Sequence, residues 1–403
     1  MPEIVITAEA GIVLEPEMKF RADAIVTVGD KVAQGQPILR DRRRPECVVT
    51  APMTGHIAEL EIGPGRRLTN LILYREDRED RHTYEVEASR KAVSDGSDSS
   101  SPRHLLQEAG LWMRLRARPF GSVPHPDSRP AALFIMAVDT QPLAPDPRGP
   151  LVGEMQEWFK LGLDALALIG SPHIYMCQDR GSDIIADERV KTIKIANLHP
   201  MGLAGFQIRH HFPARLDRQV WDVSLEDVCA IGYLLTTGHL PATRLISVAD
   251  PGMRKTRLVC CQPGADLREI SQAYMAPGQH SILSGSVLDG RDSRWLGYRH
   301  RQASVIKRPQ RTRHVHWLEA ALKRASRPMP VIATAALEHA LGGMFGGMAL
   351  LRALSVGDDE EAIKLDALSL LEEDLALADY VTDAEPRFAT QLRTALNRIE
   401  VNT

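Results

Sequence analysis

The stretch from Asn197 to Phe212, NLHPMGLAGFQIRHHF, gathers the residue types best suited to chemistry in this chain. His199, His210 and His211 are imidazoles, able to hold or pass a proton near neutral pH. Pro200, Gly202 and Gly205 set the backbone between them, and the two glycines bracket Leu203-Ala204, where the chain can turn tightly or approach another group closely. Such a loop reads as a contact surface for a ligand or a partner. The plainer reading is a turn whose histidines are satisfied locally, because no phosphate or metal motif is complete there.

A second group is basic. Arg299, Arg301, Lys307, Arg308, Arg311 and Arg313 fall between Arg299 and His316 with no acid among them. They form either a solvated face or a patch for anionic lipid head groups or an acidic protein partner. Nucleic acid is not expected: no aromatic series interleaves the run, and 49 Lys+Arg nearly balance 52 Asp+Glu over the chain. The carboxylates Glu372, Glu373 and Asp374 read as a solvated helix face, and Asp139 as a capping residue at a strand end. No acid–base pair or nucleophile stands out, so no catalytic residue is assigned. The five cysteines, Cys47, Cys177, Cys229, Cys260 and Cys261, contain no C-x-x-C. Adjacent strand residues point to opposite faces, so Cys260 and Cys261 cannot share a metal, and no metal site is assigned.

The elements that must position these groups follow from periodicity. With 403 residues, 44% of them apolar, the chain can build several cores. No apolar run approaches the roughly 20 residues needed to cross a bilayer. No basic segment leads into an apolar one at the N-terminus, so no signal peptide is expected and the cytoplasm is the expected compartment.

Residues 1–93 alternate β-branched runs with glycine turns, which predicts a small β-sandwich. Its segments Val26–Leu39 and Val49–Leu68 resemble the halves of the biotinyl/lipoyl-carrier fold, the barrel-sandwich hybrid. The turn between them, Arg40–Pro45, has no lysine to modify, so the swinging-arm function is excluded at that turn. The Ser-rich stretch Ser94–Arg103 reads as a linker, placed at 94–117. From 118 to 254 an α/β pattern predicts a parallel sheet covered by helices: strands at Ala131–Val138, Ala165–Ile169, His173–Cys177, Lys191–Ala196 and Arg244–Ala249, and helices at Leu151–Leu163 and within Val220–Leu235. Ser224 is the expected N-cap of the latter. The first βα turn, Asp139–Leu143, has no glycine, so the sheet lacks a phosphate cradle. Residues 255–316 read as mostly β, and 317–403 as helical, with Gly342-Gly343 and Gly346-Gly347 as a close-packing stripe and a helix from Asp358 through Leu375.

Seven collinear stretches carry a family resemblance: RPFGSVP (Arg118–Pro124), AVDTQPLAPDP (Ala137–Pro147), HPMGLAG (His199–Gly205), VWDVSLEDVCAIGYLLTTGHL (Val220–Leu240), RLISVADP (Arg244–Pro251), SGSVLDG (Ser284–Gly290) and LSLLEEDLALADYV (Leu368–Val381). Together they resemble the A subunit of the bacterial sodium-translocating NADH:quinone oxidoreductase. The resemblance implies an α/β multidomain chain: a barrel-sandwich domain, a Rossmann-like domain, a β-grasp domain of the soluble-ligand-binding type, and a helical C-terminus. It further implies a peripheral subunit on the cytoplasmic face of the inner membrane that binds no cofactor of its own. Flavins, iron–sulfur centres and NAD would lie on other subunits, the partners would be the integral-membrane and flavin subunits, and quinone is a possible ligand. Contact with quinone or a partner would then fall to His199, Pro200, Gly202, Gly205, His210 and His211.

The chain also departs from the family pattern. Ala378 and Thr382 stand where the family commonly has cysteines, and Phe206–Arg209 replaces T-H-I-H. These differences keep open a competing reading, a soluble scaffold or binding paralogue with another membrane partner and no respiratory role.

Overall fold

The computed structural model describes residues 2–149, 153–181, 184, 187–250, 255–273, 275, 278–307 and 331–403. After an edge strand, β1 (Glu3–Ile4), the chain builds two small antiparallel sheets. One has the order β2 (Glu9–Gly11), β8 (Leu68–Arg75), β7 (Gly55–Ile62), β4 (Lys31–Val32), and the other β3 (Ala22–Ala24), β5 (Pro37–Asp41), β6 (Arg44–Thr50). Ile38, Leu39, Val49, Ile57, Leu71 and Leu73 fill the space between them. At the β5–β6 turn Arg42 and Arg43 are exposed, whereas Arg44 pairs with Asp41 and donates to the carbonyl of Val123, 2.8 Å away.

The Ser-rich stretch is mostly taken up by two helices, α1 (Glu87–Asp95) and α2 (Ser100–Glu108), with only residues 96–99 between them. Asp98 explains it. Its carboxylate accepts from the backbone N–H groups of Ser100 and Ser101 and from both hydroxyls, supplying partners to the first turn of α2. Leu105 and Leu106 then anchor α2 in the core.

Five strands form the next sheet, in the order β12 (Val190–Ile195), β11 (Ile174–Asp179), β10 (Ala132–Met136), β13 (Val220–Ser224), β9 (Arg116–Arg118). The first four are parallel; β9 pairs antiparallel with β13 and closes that edge. Leu133 and Ile135 face α3 (Glu154–Ile169) and α5 (Leu225–Thr237), while Ala132 and Phe134 face α4 (Ala204–His211). The expected strand at Ala165–Ile169 is the end of α3: an apolar run this short fits either element, and here it continues the helical face of Phe159 and Leu163. Ser224 caps α5 as expected, accepting from the Asp227 N–H. Glycines set the α3–α5 crossing, since a Cβ on Gly232 would lie 1.7 Å from the Trp158 carbonyl and one on Gly162 2.0 Å from that of Val228.

The strand expected at Arg244–Ala249 in the parallel sheet is instead β14 (Arg244–Asp250) of a six-stranded mixed sheet. Its edge position beside β13 is already taken by β9, and it pairs with β15 (Lys255–Cys261) and β18 (Gln302–Lys307). The full order is β1, β15, β14, β18, β16 (His280–Ser284), β17 (Arg291–Asp292). One short helix, α6 (Leu267–Gln272), packs beside it with Asp266 as its cap.

The C-terminal region is helical: α7 (Ala335–Ala340), α8 (Gly347–Val356), α9 (Asp359–Lys364), α10 (Glu372–Thr382) and α11 (Phe388–Val401) surround a leucine-rich core. Gly342, Gly343 and Gly346 do not form a packing stripe. They have φ of 61, 68 and 72° and make the turn between α7 and α8. Asp358 does cap its helix, accepting from the Glu361 N–H, but that helix stops at Lys364, before Asp366 in the left-handed region.

Candidate functional site

In the parallel sheet the chain runs from β10 outward to β11 and β12, then crosses back to β13 on the other side. The switch point of this winding lies between β10 and β13, and open α/β sheets receive ligands at the carboxyl ends of such strands. A cavity of about 290 Å³ occupies that place.

One wall follows β10. The Thr140 hydroxyl accepts from the Gly202 N–H at 3.0 Å and lies 3.4 Å from His199 Nδ1. Asp139 accepts from the Gln141 N–H, closing a local turn and capping no helix. Gln141 reaches the six-stranded sheet's loop, donating to Asp289 at 3.0 Å and accepting from Ser286 at 2.9 Å. Burial pushes the Asp139 and Asp289 carboxyls above their ordinary range.

The opposite wall is an ion cluster. Arg116 and Asp222 are register partners on β9 and β13, joined at 2.9 Å. Arg116 also donates to Glu373 of α10 at 2.8 Å. Fully buried Arg118 lies 3.3 Å from Asp222, 3.7 Å from Glu373 and 3.9 Å from Asp374. Burial would raise the Glu373 carboxyl, but Arg116 and Arg118 outweigh it and hold it at about 2. Asp374, wholly buried, is pushed up to about 7, with Arg118 opposing and Glu373 adding to the rise. One Asp374 oxygen accepts from the Leu371 N–H at 2.7 Å; the other has no partner.

The histidine loop is therefore a seat for the chain's own C-terminal region. A Cβ on Gly205 would fall 2.0 Å from an Asp374 carboxylate oxygen, and one on Gly202 2.6 Å from the Thr140 side chain. Gly202, Gly205 and Pro200 are buried. His199 is half-buried, and burial pushes its imidazole down to about 4, so it is neutral at pH 7. Of the six loop residues expected to offer a contact surface, His210 is exposed and His211, like His199, half-buried; the rings of His210 and His211 meet edge to face at 4.7 Å.

The basic run also divides. Arg299 is no surface residue; its guanidinium donates to the carbonyls of Met113, Leu115 and Gly121, and burial lowers its pKa. Arg301 pairs with Glu226 at 3.1 Å, its side chain 9% exposed. Lys307 is exposed at the end of β18. Arg308, Arg311 and Arg313 lie outside the described residues. The carboxylates expected on a solvated face are engaged too, Glu372 with Arg393 and Glu373 and Asp374 with the arginines of β9.

Sequence reading missed Arg116, Arg118, Asp222, Glu373 and Asp374 as a group. A signal existed in Asp222, a charge inside the apolar strand VWDV, since charges in such positions are buried only when paired. Burial raises the thiols of Cys47, Cys229 and Cys261 to about 12, so they are protonated at neutral pH. Among the described residues no three His, Cys, Asp or Glu side chains are grouped to hold a metal.

Fold and site together define a multidomain α/β protein whose switch-point crevice is closed on one side by its own C-terminal helices. Residues 3–76 match the NqrA N-terminal barrel-sandwich hybrid domain, and residues 98–240 the NqrA second alpha/beta domain. The chain is 33% identical to the A subunit of the Na(+)-translocating NADH-quinone reductase of Pseudomonas aeruginosa, over 93% of this chain and 89% of that one. Identity is 31% with that of Mannheimia succiniciproducens (99% and 93% covered) and 32% with that of Shewanella amazonensis (96% and 92%). The chain belongs to the NqrA family, the A subunits of the Na(+)-translocating NADH-quinone reductase.

Proposed function

We propose that this chain is a peripheral subunit of its reductase complex that carries no cofactor itself and serves quinone reduction through the surfaces it offers to other subunits. The closed crevice supports this reading most. Where an open α/β sheet takes a nucleotide or flavin, Arg116 and Arg118 are neutralised by Asp222 and Glu373, and no glycine turn follows β10 to cradle a phosphate. The parallel sheet is then a Rossmann-like layer used for assembly, and the six-stranded sheet a β-grasp layer joined to it through Gln141. No helix among the described residues is long and apolar enough to cross a membrane, which agrees with attachment through integral-membrane subunits. Flavins, iron–sulfur centres and the NAD site would reside on those partners, on the cytoplasmic face. His210, His211 and Lys307 are the parts of the expected contact surfaces left open to a partner or quinone.

A tagged chain, expressed in its own host and recovered from mild detergent, should co-isolate with integral-membrane reductase subunits. Alkaline carbonate should release it from washed membranes. The purified chain should be colourless, without flavin absorbance. Bound flavin, or recovery free of any membrane subunit, would overturn the reading. The second outcome is the one expected of a scaffold paralogue, a reading motivated by Ala378, Thr382 and Phe206–Arg209, of which Ala378 is fully buried as core packing where the family commonly carries cysteine.

A further inference from the structure

A second cavity, of about 350 Å³, lies beyond the crevice, and Arg114 and Asp227 border both spaces. It sits where the N-terminal sheets, the α3–α5 pair and the six-stranded sheet meet, a usual place for a small-molecule site, and its size is in the usual range. Ile12, Leu111, Met155, Trp158, Tyr233 and Leu240 make it apolar along most of its length. Trp158 and Tyr233 meet edge to face at 4.9 Å.

Its polar end is cationic. Arg244 lines the cavity with a side chain only 6% exposed. Two of its nitrogens donate to the Tyr298 carbonyl (3.0 Å) and to Glu226 (3.2 Å), while Nε is buried without a partner. Arg114 stacks over the Tyr298 ring at 4.0 Å and stands 3.8 Å from Asp227. Arg114 and Arg244 balance Glu226 and Asp227 within the cavity wall, and Arg301, which reaches Glu226 from the crevice side, leaves the cluster one positive charge in excess. A buried donor without an acceptor is costly, and a cation without its full counter-charge more so; a ligand bringing one acceptor-rich anionic group would relieve both.

We propose that this cavity binds a small amphipathic monoanion, a flat aromatic or short aliphatic carboxylate, with its body in the apolar slot and its carboxylate against Arg244 and Arg114. The excess of a single charge favours a monocarboxylate over a phosphate dianion. The site adjoins the switch-point crevice across Arg114 and Asp227 but does not depend on the role in the reductase complex proposed above.

Calorimetric titration of the full-length chain with 2-naphthoate and with its neutral amide, 2-naphthamide, tests it. Naphthoate should bind, with the amide at least tenfold weaker. Arg244→Gln should weaken naphthoate at least tenfold and leave the amide unchanged. Ala230→Phe, which fills the slot from α5, should abolish binding of both. The proposal fails if naphthoate does not bind, if the amide binds as tightly, or if naphthoate binding survives Ala230→Phe. Should Arg244→Gln fail to fold, the carboxylate–amide comparison on the unaltered chain still decides.

Discussion

Asp374 and His199 are both moved from their ordinary pKa by burial, and the two act on stability in opposite senses. Asp374 rises from 3.8 to about 7, so between those values the folded chain holds a proton that the unfolded chain has lost, and stability from this group falls as pH rises. His199 drops from 6.5 to about 4, so the unfolded chain holds the extra proton and stability is lost as pH falls through that window. Asp374→Asn keeps an acceptor for the Leu371 N–H but cannot ionise. Its unfolding free energy minus that of the unaltered chain should therefore grow from pH 4 to 7 by about 1–3 kcal/mol and level off above, as read by urea titration at stepped pH. A flat difference would remove Asp374 as a titrating group. Gly205→Ala should cost about 1–3 kcal/mol through overpacking against the same carboxylate. Combining it with Asp374→Ala should cost less than the sum of the single changes, because the two share one space.

At the scale of elements, the α3–α5 pair and the β9–β13 edge hold the site in place. The pair crosses so closely that only glycine fits at residue 232. Gly232→Ala should push the helices apart and cost about 3 kcal/mol or more, a loss visible as a lowered Tm. Ser224→Ala should cost about 1 kcal/mol by leaving the first turn of α5 uncapped. The Ser224 cap was legible beforehand, because Ser followed three residues on by Asp, ahead of an apolar run, is local chemistry. The glycine crossing was not: Gly162 and Gly232 lie 70 positions apart, and neither segment announces its partner. The Ser-rich stretch misled for a related reason. Its composition suits a linker, yet one carboxylate, Asp98, satisfies enough of the backbone to start a helix that buries Leu105 and Leu106.

Across the whole molecule, the C-terminal helices are held to the sheets by charge and backbone contacts. Arg116 and Arg118 grip Glu373, Arg393 donates to the Phe120 carbonyl, and Arg209 donates to the Phe345 carbonyl. Glu373→Arg would place a third cation beside fully buried Arg118. It should release the C-terminal region, so that limited proteolysis cuts ahead of residue 331 while the preceding domains stay intact; resistance like that of the unaltered chain would show that the cluster does not hold the domain. By itself the sequence determined the order of the layers, the parallel character of the central sheet, the bare βα turn after Val138 and the family. Those properties rest on periods of two and 3.6 residues, on glycine placement and on collinear motifs, all of which are local. Only the tertiary structure decided that the histidine loop faces inward, that Arg299 and Arg301 are half-buried and engaged by the chain's own carbonyls and Glu226, and that the carboxylates after Leu371 are paired. Whether a charge is solvated or buried depends on what packs against it, and here its partner lies more than a hundred residues away, as Glu373 does from Arg116.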